Sequence, residues 1–383
     1  MRRKIVETGD VDVMISIRSN FFYTRTVPCE LWFFDKGKPA ERRDQVLMID
    51  ARNIYRKVTR KIYDFTPEQL ANLTAIVWLY RGQTDRFIAL VQQHLERTLT
   101  EAAGIAGQAA TFRQSYDALA DAAAPFLKTL PKESPLRELV KERDDAANVC
   151  FAALGKWTAR IAKEWKKPCE PKLAAQKRLL AELDDLATAC RDLVKDVDLV
   201  FKLAARVVDA LGERSKHLLS PALSSIPNGG EGEEPRPAGR ASPLPLPARN
   251  ERGEGRGEGQ PELNLRALGK LEKELDARRK EAVEQLKATA YFERQAHWLL
   301  SRFPDAKLVA VPGLVKLVDR KEIEAADWSL TPGRYVGVAP PEVDEDFDFE
   351  QTLGDIHVEL ADLNREAAVL AKKIQKNFEG LGV

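Results

Sequence analysis

Residues 18–37 read RSNFFYTRTVPCELWFFDKG, and no other stretch of the chain is as rich in aromatic side chains. The stretch has almost no helical periodicity. It is either an ordinary buried strand pair or one wall of a pocket for a flat ligand. Its neighbours are VDVMISI (11–17) upstream, with CELWFFD (29–35) and QVLMIDA (45–51) following. These are β-branched or aromatic runs of strand length, bounded by turn residues. KGKPAERR (36–43) between the last two reads as a surface loop. DFTPEQLANLTAIVWLYRG (64–82) then opens a helix. Thr66 is its N-cap, Pro67 its first helical residue, Glu68 comes next, and Gly82 ends it.

Most of the remaining chain is helical in pattern. Over 84–220, Ala, Leu, Lys, Glu and Arg dominate, with breaks at LPKESP (130–135) and KKPCEPK (166–172). That spacing predicts long amphipathic helices folded back as antiparallel hairpins. Residues 221–262 change to Pro, Gly, Ser, Glu and Arg, which bury too little to offset ordering entropy, so the tract is expected to be a disordered insertion. Its GEGRGEG (253–259) has the glycines of a phosphate loop but neither the strand before nor the helix after. A long helix is expected over 263–303 and a mixed turn and strand segment over 304–345. A heptad helix is expected over 346–383. In that last helix Leu353, Ile356, Leu360, Leu363, Ala367, Leu370 and Ile374 step by three and four. Such a seam wants a partner helix, from this chain or from another.

Charge and cysteine usage narrow the classes. Lys plus Arg number 60 and Asp plus Glu 59, so no net field draws the whole molecule to nucleic acid. The first 61 residues nonetheless gather Arg2, Arg3, Lys4, Arg42, Arg43, Arg52, Arg56, Lys57, Arg60 and Lys61, a basic patch or a solvated charged surface. Cys29, Cys150, Cys169 and Cys190 form no CxxC pair, and the four histidines are scattered; free thiols in a reduced, cytoplasmic setting are the simplest account. No signal peptide opens the chain and no apolar run suffices for a membrane span. There is no Ser-His-Asp signature, HExxH, Walker loop or paired-carboxylate constellation. The only tandem prolines, in APPEV (339–343), lack a polar residue before them and an aromatic after. The residues alone describe an α/β fragment joined to a large helical region.

DVDVMISIRSNFFYTRTVPCELWFFDKGKP (10–39) with VLMIDARNIYRKV (46–58) resembles the M (modification) subunit of type I restriction-modification systems. These are adenine-specific DNA methyltransferases that use S-adenosylmethionine. LVKLVDRKEIEAADWSLTPGRYVGV (314–338) and DEDFDFEQTLGDIHVELADLNREAAVLAKKIQKNFEGL (344–381) are similar to the end of the same family. The resemblance covers about 1–82 and 290–383. It implies an α/β plus α chain: late strands of a Rossmann-like methyltransferase sheet in 1–82, followed by long helices or coiled coil. The family's glycine-rich cofactor loop and Asn-Pro-Pro-aromatic loop have no match here. Met1 falls in what corresponds to the helix before the late strands. By that resemblance the chain alone is expected neither to bind S-adenosylmethionine nor to transfer a methyl group. Either a separate N-terminal polypeptide completes it, or the gene is interrupted or its start misassigned.

The resemblance also assigns roles. A methyltransferase flips its target adenine from the duplex and holds it against an aromatic face. The strand-turn NFFYTRTVP makes Phe22, Tyr23, Thr24 and Pro28 candidates for that pocket, while Phe21, Phe33 and Phe34 are read as strand core. For Phe22 and Tyr23 the pocket and core readings stay open, because a strand alternates its faces. Arg25, Arg52, Arg56, Arg334 and Tyr335 are DNA-contact candidates; Arg334 and Tyr335 alternatively pin the tail, with Pro332 and Gly333 as a simple turn. The seam Leu353, Ile356, Leu360, Leu363, Leu370, Ile374 would dock on the S (specificity) subunit, with the R (restriction) subunit completing the complex. No metal is implied. The competing reading is a non-catalytic helical scaffold docking to a specificity subunit. An enzyme half should leave an apolar sheet face open near VDVMISI, and a stand-alone scaffold should have covered it. A chromosome-organising coiled coil accounts only for the long helices.

Overall fold

The computed structural model describes residues 1–22, 26–59, 62–131, 133–165, 169–219 and 265–338. It also describes Leu360, Asn364, Ala367, Ala368, Leu370, Ala371, Ile374 and Gln375. The 221–262 tract and the seam positions Leu353, Ile356 and Leu363 lie outside the described residues, as do Tyr23, Thr24 and Arg25. In chain order the elements are α1 (Arg2–Glu7), β1 (Val11–Ile17), β2 (Cys29–Phe34), β3 (Gln45–Asp50), β4 (Arg56–Thr59), β5 (Ile62–Asp64) and α2 (Pro67–Tyr80). Four long helices come next: α3 (Thr84–Lys128), α4 (Pro135–Glu164), α5 (Leu173–Leu219) and α6 (Leu265–Arg302). The last are β6 (Val315–Asp319) and α7 (Arg320–Ala325). The molecule is mostly helical with a small mixed sheet. It divides into two units, 1–64 with 309–383 and 65–308.

In the first unit the four-stranded sheet has the order β2-β1-β3-β6. β1 and β3 run parallel, Val13 facing Leu47 and Ser16 facing Asp50, while β2 and β6 lie antiparallel on the outside. The chain therefore leaves β2 on one side of β1 and must cross to reach β3 on the other. Residues 35–44 make that crossing, and a buried lysine holds it. Lys38 Nζ donates to Val11 O at 2.6 Å and to Gln45 O, tying the first residue of β1 to that of β3. Asp12 and Arg42 complete the charge set, at 3.9 Å from Lys38 Nζ and 3.7 Å from Asp12 respectively. Burial pushes the Lys38 ammonium below its usual range, and the Asp12 carboxylate opposes that shift. KGKPAERR thus contains a core residue rather than being wholly a surface loop. The pairing of β1 with β2 slips between Val11 and Val13, so Asp12 is an extra residue in the ladder.

β1 is buried almost throughout and β3 nearly so, as expected of strands covered on both faces. Val11, Met14, Val46, Met48 and Val318 pack with Ile323, Leu330 and Val336. β2 is the exception. Phe33 is 47% exposed and Phe34 53%, so the assignment of these two to strand core is corrected. As the outermost strand, β2 lacks a further neighbour among the described residues. The open apolar edge expected near VDVMISI is therefore carried by β2, while β1 itself is interior.

The second unit is a helical bundle. α2 begins with a full capping box: Thr66 Oγ1 accepts from Gln69 N–H at 3.1 Å, and Gln69 Oε1 accepts from Thr66 N–H at 3.0 Å. Gly82 ends the segment at φ +73°, in the left-handed region. α6 lies against α3 and α5, and α5 returns antiparallel along α4: Arg160 reaches Asp185, while Val149 lies beside Leu199. The cysteines are free, and burial pushes the Cys150 and Cys190 thiols up to about 12. Between the helices runs a buried polar chain. Gln295 Oε1 accepts from the Asn72 amide at 3.0 Å, and Asn72 Oδ1 lies 2.9 Å from His94 Nε2.

Two buried groups in this unit titrate in opposite senses. Burial drives His94 down to about 4 from an ordinary 6.5 and drives Glu293 up to about 7 from 4.5. Between pH 4 and 6.5 the unfolded chain takes up the His94 proton and the folded one does not, so this site loses stability on acidification. Between pH 4.5 and 7 the folded chain keeps the Glu293 proton, so that site loses stability as pH rises. Each is worth at most about 3 kcal/mol, and in the intact protein they largely cancel. Urea midpoints of the wild type should therefore change little between pH 5 and 6.5. His94→Gln should make the midpoint fall with rising pH, and Glu293→Gln should make it climb.

Candidate nucleic-acid site at the sheet's carboxyl edge

Parallel pairing places the carboxyl ends of β1 and β3 side by side, and the loops that leave them form a concavity. Open sheets with parallel strands bind ligands at this edge. Here Arg18, Ser19, Pro28, Arg52 and Asn53 line a hollow of about 450 Å³. Arg18 and Ser19 come after β1, Pro28 precedes β2, and Arg52 and Asn53 come after β3. The floor is fixed by backbone bonds. Ala51 N–H donates to Ser16 O at 2.9 Å and Asp50 N–H to Leu314 O at 2.7 Å. Asn20 turns the chain after β1 at φ 67°, a conformation asparagine tolerates better than most side chains. Its carbonyl accepts from Tyr63 N–H at 3.0 Å, tying this loop to the β4–β5 hairpin.

Each cation at the edge is held differently. Arg52 folds back on Asp50, with Nε to Oδ1 at 2.9 Å and the terminal nitrogen to Oδ2 at 2.5 Å, and this bonding holds the guanidinium firmly charged. The turn at Pro332–Arg334 lies against the pair. A Cβ on Gly333 would fall 2.6 Å from the Arg52 guanidinium and 3.3 Å from Asp50 Oδ2, so a larger residue there would have to displace the guanidinium. Arg18 is clasped by aromatic rings, its guanidinium carbon 4.3 Å from the centre of Tyr55 and 4.7 Å from that of Tyr63. The two tyrosines meet edge to face at 5.0 Å. Arg56 forms an exposed fork with Asp64, 2.9 and 2.6 Å, which lowers the carboxylate's affinity for a proton.

Of the residues singled out from sequence, the fold brings Pro28 and Arg52 to the hollow. Phe22 is 48% exposed on the loop after β1. Tyr335 faces inward: it packs on the sheet's apolar cluster, its hydroxyl donates to Ser329 O at 2.5 Å, and burial pushes its phenol above the usual range. Arg334 donates to Ala326 O at 3.5 Å. Both bonds are within the tail, whose turn at Pro332 and Gly333 is as expected. Arg18, Ser19 and Asn53 were not singled out. Their signal was positional, since each lies within three residues of the end of a strand that proves parallel to its neighbour.

With this geometry in place, comparison shows what the chain is similar to. Residues 1–94 match the family described as N-6 DNA Methylase. The chain is 30% identical over 73 residues to the type I restriction enzyme MjaIX methylase subunit of Methanocaldococcus jannaschii, covering 19% of this chain and 13% of that protein. It is also 30% identical over 73 residues to the type I restriction enzyme HindI methylase subunit of Haemophilus influenzae, covering 19% and 16%. The resemblance read from the sequence is borne out at this level, although the chain spans under one fifth of the length of these relatives. No solved structure matches it.

The clasp around Arg18 is testable without any ligand. Two ring contacts at a half-buried site contribute about 0.5–2 kcal/mol in total. Arg18→Ala should lower the unfolding free energy by that amount and change the near-ultraviolet signal of the tyrosines. Arg18→Lys should restore less than half, because a point charge does not stack as a planar guanidinium does.

Proposed function

We propose that this chain is the C-terminal part of a type I modification subunit, and that its sheet supplies the late wall of a DNA adenine methyltransferase site. The observation that carries the reading is a coincidence of place. The residues matched to the N-6 methylase family are those whose parallel strands end in the hollow with Arg18, Pro28, Arg52 and Asn53. Two guanidiniums and an amide suit phosphate oxygens and base edges, the two classes of contact a DNA enzyme makes. In this reading Arg52, Arg56 and Arg25 face the DNA backbone, and Phe22 with Tyr23 packs on the displaced adenine, Thr24 and Pro28 shaping the turn.

The N-6 methylases generally use S-adenosylmethionine. The hollow does not fit that group. A methyl donor carries a cationic sulfonium, and the lining here is itself cationic, with no glycine-rich turn between a strand and a helix among the described residues. The donor site is therefore placed outside this hollow, and no step through the donor is derived for this chain. What its residues do is bind the DNA strand, orient the adenine and exclude water behind it.

Assay of the chain with tritiated S-adenosylmethionine, duplex DNA, a methylase N-terminal half and a specificity subunit should place label on adenine N6. The chain alone should give none. Phe22→Ala should lower the rate about 5- to 150-fold, since one stacked base is worth about 1–3 kcal/mol, and Arg52→Ala should lower it too. Label that is indifferent to both substitutions would remove the hollow from the mechanism.

A second reading, a helical scaffold that docks on a specificity subunit, has one observation in its favour. Leu360, Leu370 and Ile374 are helical and exposed, at 56%, 54% and 50%. Such a row wants a covering helix. Leu360→Asp with Leu370→Asp should abolish capture of the specificity subunit while leaving the melting temperature unchanged. Capture that survives both changes would dismiss this seam as the docking surface.

A further inference from the structure

The chain as a whole is nearly neutral, but its charges are not evenly spread. Between residues 155 and 178 there are eight Lys or Arg and two Glu, +8 against −2, giving +6 where the entire chain carries +1. Of these, Lys156, Arg160 and Lys163 are at the end of α4 and Lys177 and Arg178 at the start of α5, so the antiparallel packing of the two helices brings those five to one tip of the hairpin. Lys156, Lys163, Lys172, Lys177 and Arg178 are all exposed there. Lys156, Arg160 and Lys163 follow one another at i, i+4 and i+7, hence on one face of α4 and within about 10 Å along its axis. Arg160 lies between two indoles, 4.9 Å from the ring centre of Trp157 and 5.3 Å from that of Trp165. It is neutralised by Glu164 and Asp185. Lys156, Lys163 and Arg178 make no ion pair among the described residues, whereas Lys172 and Lys177 pair loosely, at 3.7 Å with Glu170 and 3.6 Å with Asp305.

The tip is anchored. Gln176, fully buried, donates to Ile88 O at 3.1 Å, and Gln92 donates to Cys169 O at 3.2 Å, so the linker and the first turn of α5 are tied to α3. A fixed array of unpaired cations is self-repelling, and a polyanion of matching spacing relieves the repulsion and releases condensed counterions. Duplex DNA carries one charge per roughly 1.7 Å of axis, dense enough to engage several of these side chains together. We propose that the α4–α5 tip is a second, sequence-independent contact for the backbone of duplex DNA, separate from the hollow at the sheet edge. The choice of DNA as the polyanion rests on the methylase reading; the surface itself does not.

The experiment measures binding of the full chain to a fluorescent mixed-sequence duplex of about 30 base pairs across a salt series. Lys156→Glu/Lys163→Glu/Arg178→Glu should weaken binding at low salt about tenfold or more and flatten the log–log salt slope by close to three. The milder Lys156→Gln/Lys163→Gln/Arg178→Gln should do the same in smaller measure with an unchanged melting curve, so that misfolding is not mistaken for lost contact. Unchanged affinity and slope in both variants overturn the proposal. So does a wild type that binds phosphatidylserine vesicles but not the duplex. Arg18→Ala/Arg52→Ala in the same assay separates the two surfaces. Loss of binding there alone would overturn the tip and leave the methylase reading standing; loss in the tip variants alone supports the tip whatever becomes of the hollow.

Discussion

The parallel pairing of β1 with β3 is the constraint on which the rest of the first unit depends. β2 runs antiparallel to both β1 and β3, so it ends at the edge where β3 begins, and residues 35–44 have only to pass round the start of β1. So short a loop lies against the strand starts and brings charge with it. The Lys38 ammonium meets the carbonyls of Val11 and Gln45 and lies near the Asp12 carboxylate, so its desolvation is offset by bonds that also fix where each strand begins. Because both strands start together, they end together, and the loops after them have to share one edge. The hollow is a consequence of that geometry before it is a binding site.

The strands and helices were legible because each has a local cause. VDVMISI, CELWFFD and QVLMIDA carry β-forming residues between turn signals, and the observed strands agree with them to within a residue. Thr66 and Pro67 set the start of α2 by a cap that Gln69 completes. Pro-containing breaks separate α3, α4 and α5 where they were expected. What sequence could not supply was neighbourhood. Phe33 and Phe34 have the composition of core, and only the strand order shows that they lie on an edge. Lys38 looks like any loop lysine until the crossing is known.

The hollow was half legible for the same reason. Pro28 and Arg52 were drawn out by their place in a recognisable segment, whereas Arg18 and Asn53 become interesting only when two strands are known to be parallel. Tyr335 and Arg334 show the converse. They sit in a segment whose pattern offers DNA contact or tail pinning equally, and the bonds to Ser329 and Ala326 tie both within the tail. Where a side chain points is something that residue type and spacing alone do not encode.

Net charge is the weakest of the sequence measures in this chain, and the helical unit shows why. A sum of +1 was read as the absence of a field over the whole molecule. Yet on a single hairpin, Lys156, Lys163 and Arg178 lie toward one end, while Glu138, Glu142, Asp145 and Asp196 gather around a groove further along the same two helices. Opposite charges this far apart along a rod do not cancel for a ligand near either end, because at physiological ionic strength the field of each dies away within about 8 Å. Lys163 and Glu142 are 21 residues apart on α4, about 30 Å of helix and more than three times that distance. The two regions therefore differ in local charge, and the sum over the chain describes neither.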